Sequence, residues 1–438
     1  MPFELSGMAA KLFFTTAAAA SSADVVSGSG VSGADVVSAT DTAMGLIDRI
    51  KNIHLDTGDI IILALIIFAL IMLGLELLRS NFVLSVNRKL IVMDSLPKNF
   101  DGTRVAVISD MHSMRYGEHN EELAKRIKRE EPDYIMFVGD MGDAAKMDVN
   151  AFYDFLESIG EEIPIILVPG CDDLRLGSGS VHKNFAREVE RAGAVILNNT
   201  CAEMVSGDQK LYIYGFCQPL SKKEDVPATK WNLGEVSDKD VPALLGACPG
   251  DAPVILLAHD PAPFPSYRQW GASLVLSGGC HGGIVRLPFI GGLLSPIGGA
   301  MPKYSAGHYE LGGSQMYVTR GLSSSGGVRL FNSPEIAILT LVCPGSKIIP
   351  AAAEKINYTA IAGRQLRSVG EWFRSEGRSL KDLLDERLTQ VRDFFSSLFG
   401  KKRSRFAVAA DVQKRRSTYI APKGRKKKPT RPKNEDEE

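Results

Sequence analysis

The sequence has no close pair of cysteines. Cys171, Cys201, Cys217, Cys248, Cys280 and Cys343 are scattered along a chain of 438 residues. That argues against a disulfide scaffold and for a reducing compartment. Net charge is absent too, with 51 Lys+Arg against 51 Asp+Glu. The balance hides an asymmetry. From Lys401 to the end there are 14 Lys+Arg and 5 Asp+Glu, which leaves 37 basic and 46 acidic residues before it. An acidic body and a basic tail of equal and opposite charge mark the tail as a separate segment. The hydrophobic share of 45% suits a globular core, and the length allows two or three domains.

Residues 1–58 are rich in Ala, Ser, Gly and Thr, and A-D-V-V-S occurs at Ala23–Ser27 and Ala34–Ser38. This reads as a low-complexity, flexible stretch. Leu12–Ala20 faintly resembles a signal-peptide core, but only Lys11 precedes it as a basic residue. Ile60–Leu75 is an unbroken apolar run. With Glu76, Leu77 and Leu78 it gives about 19 helical residues and roughly 28 Å of rise, close to the ~30 Å of a bilayer's hydrocarbon. Residues 59–79 are therefore expected to be one transmembrane helix. Arg49 and Lys51 precede it, while Arg79, Arg88, Lys89 and Lys98 follow it. This bias places the main domain in the cytoplasm, anchored by a single pass to the cell membrane.

Residues 81–350 are expected to form the globular domain. Strand-like runs are Phe82–Val86, Val105–Ile108, Tyr134–Val138, Ile163–Val168, Leu211–Phe216, Val254–Ala258, Leu274–Leu276, Met316–Thr319 and Glu335–Val342. Helical patterns at Glu121–Arg129, Val149–Ile159 and His182–Arg191 fall between the early ones. Such alternation indicates an α/β sheet domain with helices outside. Gly282–Pro302 reads as loop. Residues 351–400 carry an amphipathic pattern over Gly363–Leu398, suited to packing on the domain or to lying on an anionic membrane. Residues 401–438 are too polar and basic to fold alone. A phosphate-bearing surface is the natural partner of such a tail, and a membrane span in the same chain favours anionic lipid over nucleic acid.

Three loops follow apolar runs: Ser109–His112 (S-D-M-H), Val138–Asp140 (V-G-D) and Ser277–Gly283 (S-G-G-C-H-G-G). Asp110 and His112 are two apart, so in an extended segment both reach one side. Asp140 follows the next strand, and His259 and His281 follow later ones. One Asp or His after a strand is an ordinary turn residue. A set of five, all after strands, suits a divalent metal ion, and a shared carboxylate can bridge two ions about 3.5–4 Å apart in phosphoester hydrolysis.

With these motifs, the chain resembles the calcineurin-like metallophosphoesterases, and in particular their membrane-anchored bacterial branch. The likeness runs from about Leu96 to Val342. It includes L-P-K-N-F-D-G, L-A-H-D-P at Leu257–Pro261, V-R-L-P-F at Val285–Phe289 and R-L-F-N-S-P-E-I-A at Arg329–Ala337. The family pattern is D-x-H, G-D, G-N-H-D/E, a later His and G-H-x-H. The resemblance implies a sandwich of two mixed β-sheets flanked by helices. It implies a first metal held by Asp110, His112, Asp140 and His281. A second would use Asp140, His259, the Asn of G-N-H and the first His of G-H-x-H. Here the chain departs from the pattern: Gly170–Asp173 reads G-C-D-D, and Gly279 stands at that first His.

Gly279 offers no ligand. Cys171, at the Asn position, is either a thiolate ligand favouring Zn or Fe over Mg or Mn, or a small buried hydrophobe. Asp172, at the catalytic His position, repels a phosphate dianion when ionised and donates only when protonated. Beside a cation it could also act as a substitute ligand. The resulting expectation is a membrane-anchored, metal-dependent phosphoesterase using Mn, Fe, Zn or Co, with one firm ion and a weaker second. Its substrate would be a phosphorylated small molecule or lipid-linked phosphate, cleaved at a phosphoester or pyrophosphate bond. The alternative is a catalytically weak binding or sensor module on the same fold.

Overall fold

The computed structural model describes residues 56–146, 148–176, 180–219, 235–287, 289–297, 299–323 and 328–348. The low-complexity stretch before residue 56 and the expected amphipathic and basic segments after residue 350 lie outside the described residues.

Helix α1 (Thr57–Phe82) comes first. Asp56 caps it by accepting the Asp59 N–H at 2.8 Å. Ile60, Phe68 and Leu70 are exposed along it. Its 26 residues rise roughly 39 Å, long and apolar enough to cross a membrane. The strand expected from Phe82 starts later, because the helix continues through Phe82 and β1 is Ser85–Val92. Asn81 accounts for part of this. Its amide donates to Leu77 O at 2.7 Å and to Arg329 O at 2.9 Å. Strand pairing then begins where Ser85 meets Glu335.

The expected sandwich of two mixed sheets is borne out. The first sheet contains β1, β2 (Arg104–Ile108), β3 (Tyr134–Val138), β4 (Ile165–Val168), β5 (Val195–Ile196) and β16 (Glu335–Val342). Their order is β1-β16-β2-β3-β4-β5. Strands β2 to β5 run parallel, and β16 is antiparallel to β2. The second sheet contains β6 (Cys201–Ser206), β7 (Gln209–Phe216), β8 (Val254–Ala258), β9 (Leu274–Ser277), β14 (Gly307–Leu311) and β15 (Ser314–Val318), ordered β14-β15-β9-β8-β7-β6.

Most central strands are apolar on both faces because each face is covered. Val105 and Val107 of β2 pack with Leu211, Ile255 and Leu276 between the sheets. Ala106 and Ile108 face the other way, toward Leu123 and Ile127 of α2 (Glu121–Arg129) and Phe152 and Phe155 of α3 (Asn150–Ile159). Phe137 meets those two rings edge-on at 5.1 and 5.4 Å. Burial of each such side chain stabilises by roughly 1.5–3 kcal/mol. On the outer face of the second sheet, Phe264, Tyr267 and Trp270 of a short helix (Phe264–Trp270) cover Leu256, Val275 and Met316.

Within Gly282–Pro302, expected as loop, lie two small antiparallel ribbons. Arg286–Leu287 (β10) pairs with Gly291–Gly292 (β11), and Leu294–Ser295 (β12) pairs with Gly299–Ala300 (β13). Five loops matter for chemistry. They leave the carboxyl ends of β2, β3, β4, β8 and β9, where ligand sites of open α/β sheets form.

Candidate metal centre

The structure brings Asp110, His112, Asp140, Cys171, His259 and His281 together, and all six are buried. Two groups emerge. Donor atoms of Asp110, His112 and His281 lie within 4.8 Å of one another, as do those of Asp140, Cys171 and His259. Asp140 joins them: its Oδ2 is 3.2 Å from His259 Nε2 and 3.6 Å from His112 Nε2. Asp110 Oδ1 is 3.4 Å from His281 Nε2 and 3.9 Å from His259 Nε2.

Asp140 Oδ2 and His259 Nε2 are fully buried and make no hydrogen bond. They face each other as an ion pair. Leaving such atoms unsatisfied costs about 1–3 kcal/mol each, so a shared cation fits the geometry. The donors also fit a divalent ion chemically, since carboxylate and imidazole suit Mn, Fe, Zn and Co.

Tautomers favour ligation. His259 Nδ1 lies 2.7 Å from Val138 O, and His281 Nδ1 lies 2.7 Å from Ser323 O. A carbonyl only accepts, so each Nδ1 carries the proton and each Nε2 lone pair faces the centre. The Val138 contact also ties the second sheet to the first. His112 and His281 stack at 5.0 Å.

Several supports were not legible as motifs. Asp173, buried, accepts the N–H groups of Gly170 at 2.9 Å, Asp140 at 2.8 Å, Met141 at 3.3 Å and Gly142 at 3.0 Å. It therefore clamps the loop that carries Asp140. Ser109 donates its hydroxyl to Asp110 Oδ2 at 2.5 Å, and Gly279 N–H donates to the same oxygen at 3.1 Å. Arg329, 1% exposed, donates to Arg320 O at 2.7 Å, to Asn332 O at 3.4 Å and to Ser323 O. That last carbonyl is also the one that orients His281. The acidic position after Cys171-Asp172 and the R-L-F-N-S-P-E run were the only signals for these residues.

Asp172 stands at the edge of the centre. Its Oδ2 accepts the Ala144 N–H at 3.2 Å and lies 3.3 Å from His112 Nδ1, while Oδ1 is 3.5 Å from Arg175. Gly279 has a left-handed φ of +69°, and a Cβ there would meet Ile297 Cδ1 at 2.6 Å and His259 Nε2 at 3.1 Å. Ile297 therefore takes up space beside the position that lacks a histidine. Cys280 is buried nearby and bonds to Ser295.

The backbone is strained at the ligands. Asp110, His112, Asp140 and His281 all have positive φ, at 53°, 42°, 56° and 49°. Strain of this kind collects where function demands it. Electrostatics adds a second signature. Burial opposes charge on His112, but Asp172, Asp140 and Asp110 outweigh it and hold its pKa up at about 9. Burial pushes His281 down to about 4 despite Asp110. Burial opposes ionisation of Asp140, yet His259 and His112 hold it well below the usual carboxylate range. Burial and Asp140 push the Cys171 thiol up to about 12.

Residues 103–281 match the family model for calcineurin-like phosphoesterases. Over 252 residues the chain is 27% identical to an uncharacterized metallophosphoesterase of Bacillus subtilis (strain 168), YkuE, covering 56% of this chain and 81% of that one. Over 251 residues it is 26% identical to the phosphodiesterase YaeI of Escherichia coli (strain K12), covering 55% and 82%. Among solved structures, TT1561 of Thermus thermophilus aligns with a TM-score of 0.33 at 16% identity, covering 52% of this chain and 92% of that one.

Proposed function

From the match of residues 103–281 to the calcineurin-like phosphoesterase family, we propose that the chain is a membrane-anchored, metal-dependent hydrolase of a phosphoester or pyrophosphate bond. The observation that carries this is the meeting of two buried donor groups at Asp140. Asp110, His112, Asp140 and His281 would hold one divalent ion, and Asp140, His259 and Cys171 a second. Such ions polarise phosphoryl oxygens and make water acidic enough to attack near neutral pH.

The chain's own groups set the stage. Ser109 and the Gly279 N–H fix Asp110, and Asp173 fixes the loop of Asp140. Val138 O and Ser323 O fix His259 and His281 by their Nδ1 protons. Asp172 holds His112 at Nδ1 and so acts as a positioning residue at the place where relatives of the pattern carry a histidine. Burial of all these groups excludes bulk water and strengthens each polar contact.

Helix α1 and the basic residues after it, Arg79, Arg88, Lys89 and Lys98, support a cytoplasmic domain on a single-pass anchor. Only two residues separate α1 from β1, which favours substrates presented at a membrane surface, such as a lipid-linked phosphate. The test is hydrolysis of a chromogenic phosphodiester by the full chain in detergent, supplied with Mn, Fe, Zn or Co. Metal-stimulated turnover that disappears in Asp140→Asn is the expected result. Metal-loaded protein with no turnover on phosphodiesters, phosphomonoesters or pyrophosphates refutes hydrolysis.

A further inference from the structure

We propose that the Asp140–Cys171–His259 group is a thiolate metal position, selective for zinc, ferrous or cobaltous ion, beside an all-oxygen-and-nitrogen position of different preference. The centre would then hold two unlike metals. This rests on the phosphoesterase reading and specifies its ligands.

Cys171 is the first residue of the helix Cys171–Leu176, which two residues separate from β4. It is fully buried. A cysteine acting as a small hydrophobe should be ringed by carbon. Cys171 Sγ instead lies within 4.8 Å of donor atoms on Asp140 and His259. Both neighbours present a buried atom with no hydrogen-bond partner, Asp140 Oδ2 and His259 Nε2. Three donors of different type converge there, with Asp140 Oδ2 and His259 Nε2 3.2 Å apart.

Sulfur decides the selectivity. A thiolate binds borderline and soft ions far better than Mn or Mg, whereas carboxylate and imidazole alone accept Mn readily. Among the six gathered donors, the other group, Asp110, His112 and His281, offers no sulfur. Charge also balances, since one carboxylate and one thiolate match a divalent cation. On binding, the thiol proton leaves to solvent as the sulfur–metal bond forms.

Full-length protein in detergent, stripped of metal and titrated with Co(II), tests this. Wild type should show a sulfur-to-cobalt charge-transfer band in the near ultraviolet, saturating at one equivalent. Cys171→Ser and Cys171→Asn should lose the band, and Cys280→Ser should keep it. Cys171→Asn should still bind cobalt, and its preference for Zn over Mn should fall by at least about tenfold. Two bound cobalt ions in wild type with no such band, or a band that survives in Cys171→Ser, overturns the thiolate assignment and leaves the phosphoesterase reading standing. Failure of wild type to bind cobalt at all overturns both.

Discussion

The two halves of the centre are built on different kinds of backbone. Asp110, His112 and His281 sit on left-handed residues in loops from far-apart stretches of the sequence. In the other half, Cys171 begins a helix and His259 follows a strand directly, and only Asp140 has a positive φ. A donor on a regular element can be exchanged by changing its side chain alone. A donor on strained backbone depends on every contact that holds the loop. Cys171 fits the first case, since it stands at the start of a helix.

Removing the shared carboxylate should erase the distinction. Asp140→Asn is expected to empty both positions and lower hydrolysis by more than the ~100-fold that loss of a supporting contact costs. Metal analysis and turnover check it, and retention of both ions would break the account. Asp173→Ala should come next. It leaves four loop N–H groups without their acceptor, and should weaken metal binding at both positions by about 10–100-fold. Urea denaturation should show a loss of roughly 1–3 kcal/mol or more.

Arg329→Met should separate the halves. It removes one donor from Ser323 O, the carbonyl on His281, so affinity at the first position should fall about tenfold. The cobalt–sulfur band of the second should stay. Acidity tests the first position on its own. In the metal-free protein His112 holds its proton to about pH 9, while His281 is neutral above about pH 4. Metal binding must displace the His112 proton, so Mn affinity should rise with pH and level off near 9. Calorimetry in buffers of different ionisation enthalpy reads the released protons.

The smallest effect lies outside the centre. Burial opposes ionisation of Glu335, but Arg320, Tyr317 and Asn87 hold its pKa below the usual carboxylate range. A depressed folded pKa gives stability that is complete above the unfolded value of about 4.3 and lost as pH falls through the folded one. Wild type should therefore lose stability below about pH 4 more steeply than Glu335→Gln, measured by urea midpoints, with metal binding at neutral pH unchanged.

Much of this was readable from residues alone. Apolar runs ending in Asp or His announced the strand ends, because a strand buried on both faces must be apolar and a polar residue at its end must have a use. The strands Cys201–Ser206 and Gly307–Leu311 were not visible. Each is half-exposed at a sheet edge, with mixed residues such as Glu203 and Glu310. The helix Phe264–Trp270 was hidden by Pro263 and Pro265, which suit a first turn but read as loop. Ser323 was beyond reach for another reason: its contribution is a main-chain carbonyl, which every residue has. The role of Asp173 as a clamp also depends on four backbone amides that only the fold brings together.

The pairing of β1 with β16 has a consequence for biogenesis. Ser85 lies beside Glu335, so the second strand position of the first sheet is filled by a segment made 250 residues later. Closing a loop of that length costs about 5 kcal/mol of chain entropy, and it cannot close until that segment leaves the ribosome. During synthesis β1 and the β16-facing edge of β2 must wait without their shared partner. The nascent chain is then most vulnerable to capture by chaperones or proteases just before residue 342 emerges.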